Sequence, residues 1–94
     1  MDQNDEKTNA YASTEIFDIA DKFINLANEL FQESQSELIG DSLRYAAARF
    51  SVFEASLQTN DLAEDMDNLV ESYANDFTNM LRVNFEDYYK RLNP

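Results

Sequence analysis

The chain lacks cysteine, histidine and tryptophan, and it has one glycine and one proline among its 94 residues. Without cysteine it can form no disulfide, thiolate nucleophile or iron–sulfur cluster. Without histidine it can form no Ser-His-Asp triad and no histidine-ligated zinc site. A single glycine cannot build a glycine-rich nucleotide loop. We therefore expect no metal, no cofactor and no enzymatic activity, because proton transfer near neutral pH usually recruits histidine.

Basic residues are also scarce, with 7 Lys and Arg against 19 Asp and Glu and a net charge of −12. Such a charge repels phosphate backbones and anionic lipids, so we expect neither nucleic acid nor membrane as a partner. No apolar run approaches the ~18 residues of a membrane-spanning helix. The first residues lack the basic and apolar regions of a signal peptide, and we therefore expect a cytoplasmic protein.

What the chain does contain is enough apolar surface for one small folded domain. Hydrophobic residues make up 44% and aromatic residues 13% of the sequence, which is too apolar for a disordered acidic chain. Residues 1–12 are polar, and we expect a flexible tail there. Residues 13–94 are expected to form a single helical domain.

Apolar residues then recur at alternating steps of three and four, which is typical of amphipathic helices. The first helix is predicted over about residues 14–34, capped by Ser13 or Thr14. The second is predicted to start after a cap at Ser36. Gly40 could instead delay that start, with Asp41 as the cap.

The third helix is predicted to begin after Asp61, which has Glu64 three residues later as in a capping box. Its apolar stripe changes phase after Phe77, because two successive steps of four rotate the stripe around the helix. We expect about 30 residues, or about 45 Å, against about 20 residues for each of the others. The predicted fold is an all-α, antiparallel three-helix bundle with a long third helix.

A straight third helix would extend roughly ten residues beyond the other two. These turns are apolar, and a contiguous exposed patch of that kind usually marks an interface. The candidate interface residues are Leu81, Phe85, Tyr88, Tyr89 and Leu92. We expect a protein partner or a second copy, since twofold homodimers are the commonest oligomers. The alternative is a kink near Asn84 that folds the last turns back.

The second helix carries two further predictions. Its alanines at 46–48 form a small-residue patch that a neighbouring helix could approach closely. Arg49 lies at the edge of the apolar stripe, and we expect an interhelical ion pair with its stem covering the core. In the third helix, the acidic residues within 61–71 fit either a solvated helix start or a face for a basic partner.

Asp41-Ser42-Leu43 resembles the phosphopantetheine site of acyl carrier proteins, which are also small, acidic and helical. This resemblance implies an alternative function as an acyl-carrier-like or small-ligand-binding protein with Ser42 as the modification site. Carrier proteins have a long loop between their first helix and that serine, and an acidic second helix, whereas only a few residues lie between the predicted first helix and Ser42 here. This second helix also carries Arg44 and Arg49.

Three other stretches resemble a small, mainly proteobacterial family of acidic helical proteins of unknown function. They are DKFINLANE at 21–29, YAAARF at 45–50 and MLRVNFEDY at 80–88. The resemblance implies a short cytosolic helical protein and supplies no catalytic residue. Our leading hypothesis is a non-enzymatic interaction or regulatory protein that acts through a helical face.

Overall fold

The computed structural model describes residues 14–94. This part of the chain contains three α-helices and no strand: α1 at Thr14–Ser34, α2 at Leu38–Ser56 and α3 at Leu62–Leu92. The predicted all-α class with a long third helix is confirmed. The predicted tail at 1–12 and the proposed cap at Ser13 lie outside the described residues. None of the helices in 14–94 is long and apolar enough to cross a bilayer.

The chain divides into two compact units, Met1–Ala46 and Ala47–Pro94. The boundary falls inside α2, within its run of alanines. The described part of the first unit holds α1 and the first turns of α2. The second unit holds the rest of α2 and all of α3, and it contains the candidate interface.

The helix α2 starts where its serine cap predicts. Ser36 Oγ accepts a hydrogen bond from the Leu38 N–H at 3.1 Å, and the Ser36 carbonyl accepts from the Ile39 N–H at 3.3 Å. These bonds satisfy donors that the first turn of a helix leaves unpaired. Gly40 lies inside α2, so the alternative start capped by Asp41 is wrong.

The start of α3 is fixed by a small polar network. Asp61 Oδ1 accepts from the Glu64 N–H at 3.1 Å, which confirms the predicted N-cap. In a full capping box the side chain of Glu64 would accept a hydrogen bond from the Asp61 N–H. That N–H donates instead to Thr59 Oγ1 at 3.1 Å, and the Thr59 hydroxyl donates to the Asp65 carboxylate. The network therefore joins the preceding turn to the first turn of α3.

From there α3 continues without a break for 31 residues, about 46 Å. Asn84 does not interrupt it, because its side-chain amide donates to the Met80 carbonyl at 2.8 Å along the same helix. At the C-terminus, the backbone N–H of Asn93 donates to the Tyr89 carbonyl at 3.0 Å. The alternative of a kink near Asn84 is therefore wrong.

The packed side of α2 differs from the predicted one. Ala55, 4% exposed, is the single buried residue in the described part of the chain, and Ser51 one turn earlier is half-buried. The alanines at 46–48 are exposed, so the predicted close approach at that patch is wrong. Phe50 and Phe53, whose spacing places them on the apolar stripe of α2, are 61% and 54% exposed. Their rings contact each other with centroids 5.6 Å apart.

Candidate functional site

The helix α3 changes character at Asp76. In its first half Leu69, Tyr73 and Asp76 are half-buried, whereas every residue from Phe77 to Pro94 is exposed. The second half therefore extends for more than three turns as a regular helix that the described chain leaves uncovered.

The predicted interface residues all lie on this exposed half. With Asn84 they line a shallow, open groove along the helix. Their exposed fractions are 48% for Leu81, 70% for Phe85, 65% for Tyr88, 66% for Tyr89 and 72% for Leu92. We call these five residues the α3 C-terminal face. The structure places them together, and their role as an interface stays a prediction.

Helical geometry shows that this face is separate from the side that the first half buries. At about 100° per residue, the five side chains fall within an arc of about 100°. The half-buried side, marked by Leu69, Tyr73 and Asp76, is centred about 140° away around the helix. The change of phase in the apolar stripe thus corresponds to two different surfaces of one helix.

Two ion pairs lie on the sides of α3 outside the α3 C-terminal face. Lys90 Nζ lies 3.2 Å from Glu86 Oε1, and Arg91 Nε lies 3.2 Å from Asp87 Oδ2. Exposed pairs of this spacing contribute about 0.3–0.5 kcal/mol each, so they support the helix only slightly. Arg82, on the opposite edge from Arg91, forms no ion pair or hydrogen bond with another residue of 14–94.

The acidic residues at the start of α3 serve local structure in part. Asp61 is the N-cap, and the Asp65 carboxylate accepts the Thr59 hydroxyl. These contacts favour the interpretation of a helix start for those two residues. Asp67 and Glu71 are exposed further along the helix.

The other predicted residues lie on α2. Ser42 is exposed there and makes no hydrogen bond within the described residues. Its neighbours form an ion pair, with Arg44 Nη2 2.6 Å from Asp41 Oδ1. The guanidinium of Arg44 lies over Gly40. Arg49 is paired with no carboxylate of 14–94. The roles predicted for Ser42 and Arg49 stay predictions.

A family model described as "Protein of unknown function (DUF3144)" matches residues 16–89, and the chain belongs to that family. The sequence-based expectation of a small family without an assigned function is thereby confirmed. No curated protein and no solved structure shows a significant match. The family match spans all of α2 and includes α3 as far as Tyr89, so it includes most of the α3 C-terminal face.

Proposed function

We propose that this chain is a non-enzymatic, cytoplasmic interaction protein that binds a protein partner through the α3 C-terminal face. The observation that carries this proposal is the exposure of five large apolar side chains on one face of an unbroken helix. Contiguous apolar surface of this kind is costly in water and usually marks a binding site.

The spacing of the face suits a helical partner. Leu81, Phe85, Tyr88 and Leu92 stand at i, i+4, i+7 and i+11, the positions from which an amphipathic helix packs into a groove or against another helix. Aromatic residues supply three of the five side chains, and aromatics are enriched at protein interfaces. Tyrosine adds a hydroxyl that can stay hydrated at the rim.

The net charge and composition of the whole chain favour a protein over the other common occupants. The chain's charge of −12 opposes phosphate-bearing partners such as nucleic acid or anionic lipid. The absence of cysteine fits a reducing compartment such as the cytoplasm, where disulfides are rare.

Site-specific photo-crosslinking in the native host tests the proposal. A photoreactive phenylalanine analogue replaces Tyr88 in one variant and Val83 in a matched control. Val83 is exposed to a similar extent, 66%, and lies about 160° around the helix from Phe85 in the centre of the face.

We expect a discrete protein adduct from position 88 and little or none from position 83. Equal adducts from both positions, or none from position 88, would refute the proposal. Because the mass of the adduct reports whether the partner is a second copy or another protein, this test does not presuppose the partner's identity.

A further inference from the structure

We infer that the partner of the α3 C-terminal face is the same face of a second copy, bound antiparallel about a twofold axis that passes between Glu86 and Asp87. This inference rests on the proposed function and adds the identity, direction and register of the partner. Three features of α3 support it: the spacing of the face, the charges on its edges and the distribution of charge along the helix.

The spacing of the face is symmetric. Leu81, Phe85, Tyr88 and Leu92 follow one another at steps of four, three and four, which read the same in either direction. In the antiparallel pair Leu81 lies opposite Leu92 of the second copy, and Phe85 lies opposite Tyr88. A twofold interface requires such a self-complementary surface. In this register all four central side chains meet only large apolar side chains.

The edges of the face are compatible with this register. Antiparallel packing brings Arg82 beside Tyr89 of the second copy, where a guanidinium can lie over the phenol ring. On the other edge Asn84 lies beside Arg91, and its amide oxygen can accept from that guanidinium. No pair of like charges meets on either edge.

An antiparallel pair whose register is shifted by one heptad is less favourable than the inferred register. Phe85 would then lie opposite Leu81, while Tyr88 and Leu92 would meet the smaller Thr78 and Ala74. Arg82 would also lie opposite Arg82 of the second copy, which places two guanidinium groups together near the axis. Like charges at such positions act against pairing.

The distribution of charge along α3 disfavours a parallel pair. Residues 61–76 carry six acidic side chains and no basic one, whereas residues 77–94 carry three basic and two acidic side chains. A parallel pair would align the two acidic segments. The contact between the two helices would then continue toward the N-terminus through Glu71 and Asp67, and each of these residues would face the same residue of the second copy. Antiparallel overlap of the last turns places the acidic segments at opposite ends of the dimer.

The overlap is short, about three turns of helix from each copy, and it therefore falls at the small end of protein interfaces. We expect reversible association at micromolar concentrations. Each chain carries a net charge of −12, so added salt should strengthen the dimer by screening repulsion between the copies. A basic partner recruited by the acidic residues would show the opposite response.

A spin-label distance measurement tests the direction and register. The chain has no cysteine, so Asn75→Cys provides a unique attachment site on the exposed side of α3, outside the face. The inferred register places the two labels about 35 Å apart along the helix axis. The register shifted by one heptad gives about 24 Å. A parallel pair gives no axial offset and leaves the labels separated mainly by the 8–10 Å between helix axes, about the length of the label arms.

For the wild-type background we expect the distance of about 35 Å. Phe85→Asp in the same labelled chain should reduce the dipolar modulation at least about 10-fold, because each dimer would bury two unpaired charges. Val83→Asp should leave the modulation unchanged. A short distance would overturn the antiparallel arrangement, and the absence of modulation in the labelled wild-type background would overturn the second copy as partner. If position 88 still crosslinks to a different protein in that case, the proposed function stands without this inference.

Discussion

The two halves of α3 share one continuous backbone and differ in almost everything else. The first half, residues 62–76, has half-buried side chains and lacks any basic residue, whereas the second half, residues 77–92, is exposed throughout and carries three basic residues. One side of the first half packs within the chain, whereas Met66 and Val70 of the same half are 56% and 61% exposed. The second half has a separate apolar face, about 140° around the helix, which the described chain leaves open.

Apolar spacing alone therefore does not identify the surface that a helix buries. Both halves are amphipathic at helical period, and both would be assigned to a core by pattern. The rotation of the apolar stripe around α3 distinguishes the two halves. Because the stripe of the second half points in a different direction, it needs a different neighbour to cover it. The following predictions test whether the two halves really have different partners.

The largest expected contrast is between two identical substitutions in the two halves. Leu69→Ala should lower the free energy of unfolding by about 2 kcal/mol, because it removes most of a half-buried side chain that packs within the chain. Leu81→Ala should change it by less than about 0.5 kcal/mol, as for an exposed site. Denaturant unfolding at low protein concentration measures both. Equal losses would mean that the two halves are covered within one chain.

A second contrast lies on α2, between its buried and exposed alanines. Ala55→Leu should cost roughly 1–3 kcal/mol, because the added side chain must displace packed neighbours. Ala47→Leu should stay within about 0.5 kcal/mol of the wild type at an exposed position. Thermal melts of the two variants compare them directly. A large loss for Ala47→Leu would restore the close approach at residues 46–48 that the sequence predicts.

The side chains that cap the two ends of α3 should also differ in their contribution to the free energy of unfolding. Asp61→Ala should destabilise the protein by about 1 kcal/mol, because the Glu64 N–H loses its side-chain acceptor. Asn93→Ala should have a smaller effect, since its exposed amide adds only a second bond to the Tyr89 carbonyl and the backbone N–H bond remains. Circular dichroism during urea titration gives both values. A larger loss at Asn93 would show that the C-terminal half stabilises the monomer.

The smallest expected effect is that of salt on the melting temperature. The acidic first half of α3 contributes to a net charge of −12, and self-repulsion opposes the compact state. Raising salt to about 0.3 M should increase the melting temperature by a few degrees by screening this repulsion. The rise should be smaller in Asp67→Asn, which removes one charge from that segment. A melting temperature that falls with salt would indicate that attractive ion pairs dominate.

Much of the fold could be predicted from local signals. The bounds of α1 follow from apolar spacing, and the Ser36 and Asp61 caps follow from hydrogen-bonding groups close in sequence to the N–H groups that they bind. The sequence allows two alternatives for α3 near Asn84, because a polar residue beside an apolar stripe is compatible with either a kink or a straight helix. Its bond to the Met80 carbonyl shows how the straight helix accommodates it.

The packing of α2 could not be predicted in the same way. Phe50 and Phe53 lie on its apolar stripe by spacing, yet the buried residue is Ala55. Spacing locates the apolar side of a helix but does not say whether a neighbour covers it. The network that links Thr59, Asp61 and Asp65 was also missed in part, since the capping-box pattern assigned the Asp61 N–H to Glu64 rather than to Thr59.

Sedimentation equilibrium measures whether the second half of α3 binds a second copy. At high micromolar concentration the wild type and Val83→Asp should sediment as a reversible mixture of the 10.9 kDa chain and its dimer, whereas Phe85→Asp should remain monomeric and helical. A single monomeric species for the wild type, or a Phe85→Asp variant that dimerises as strongly as Val83→Asp, would contradict the claim.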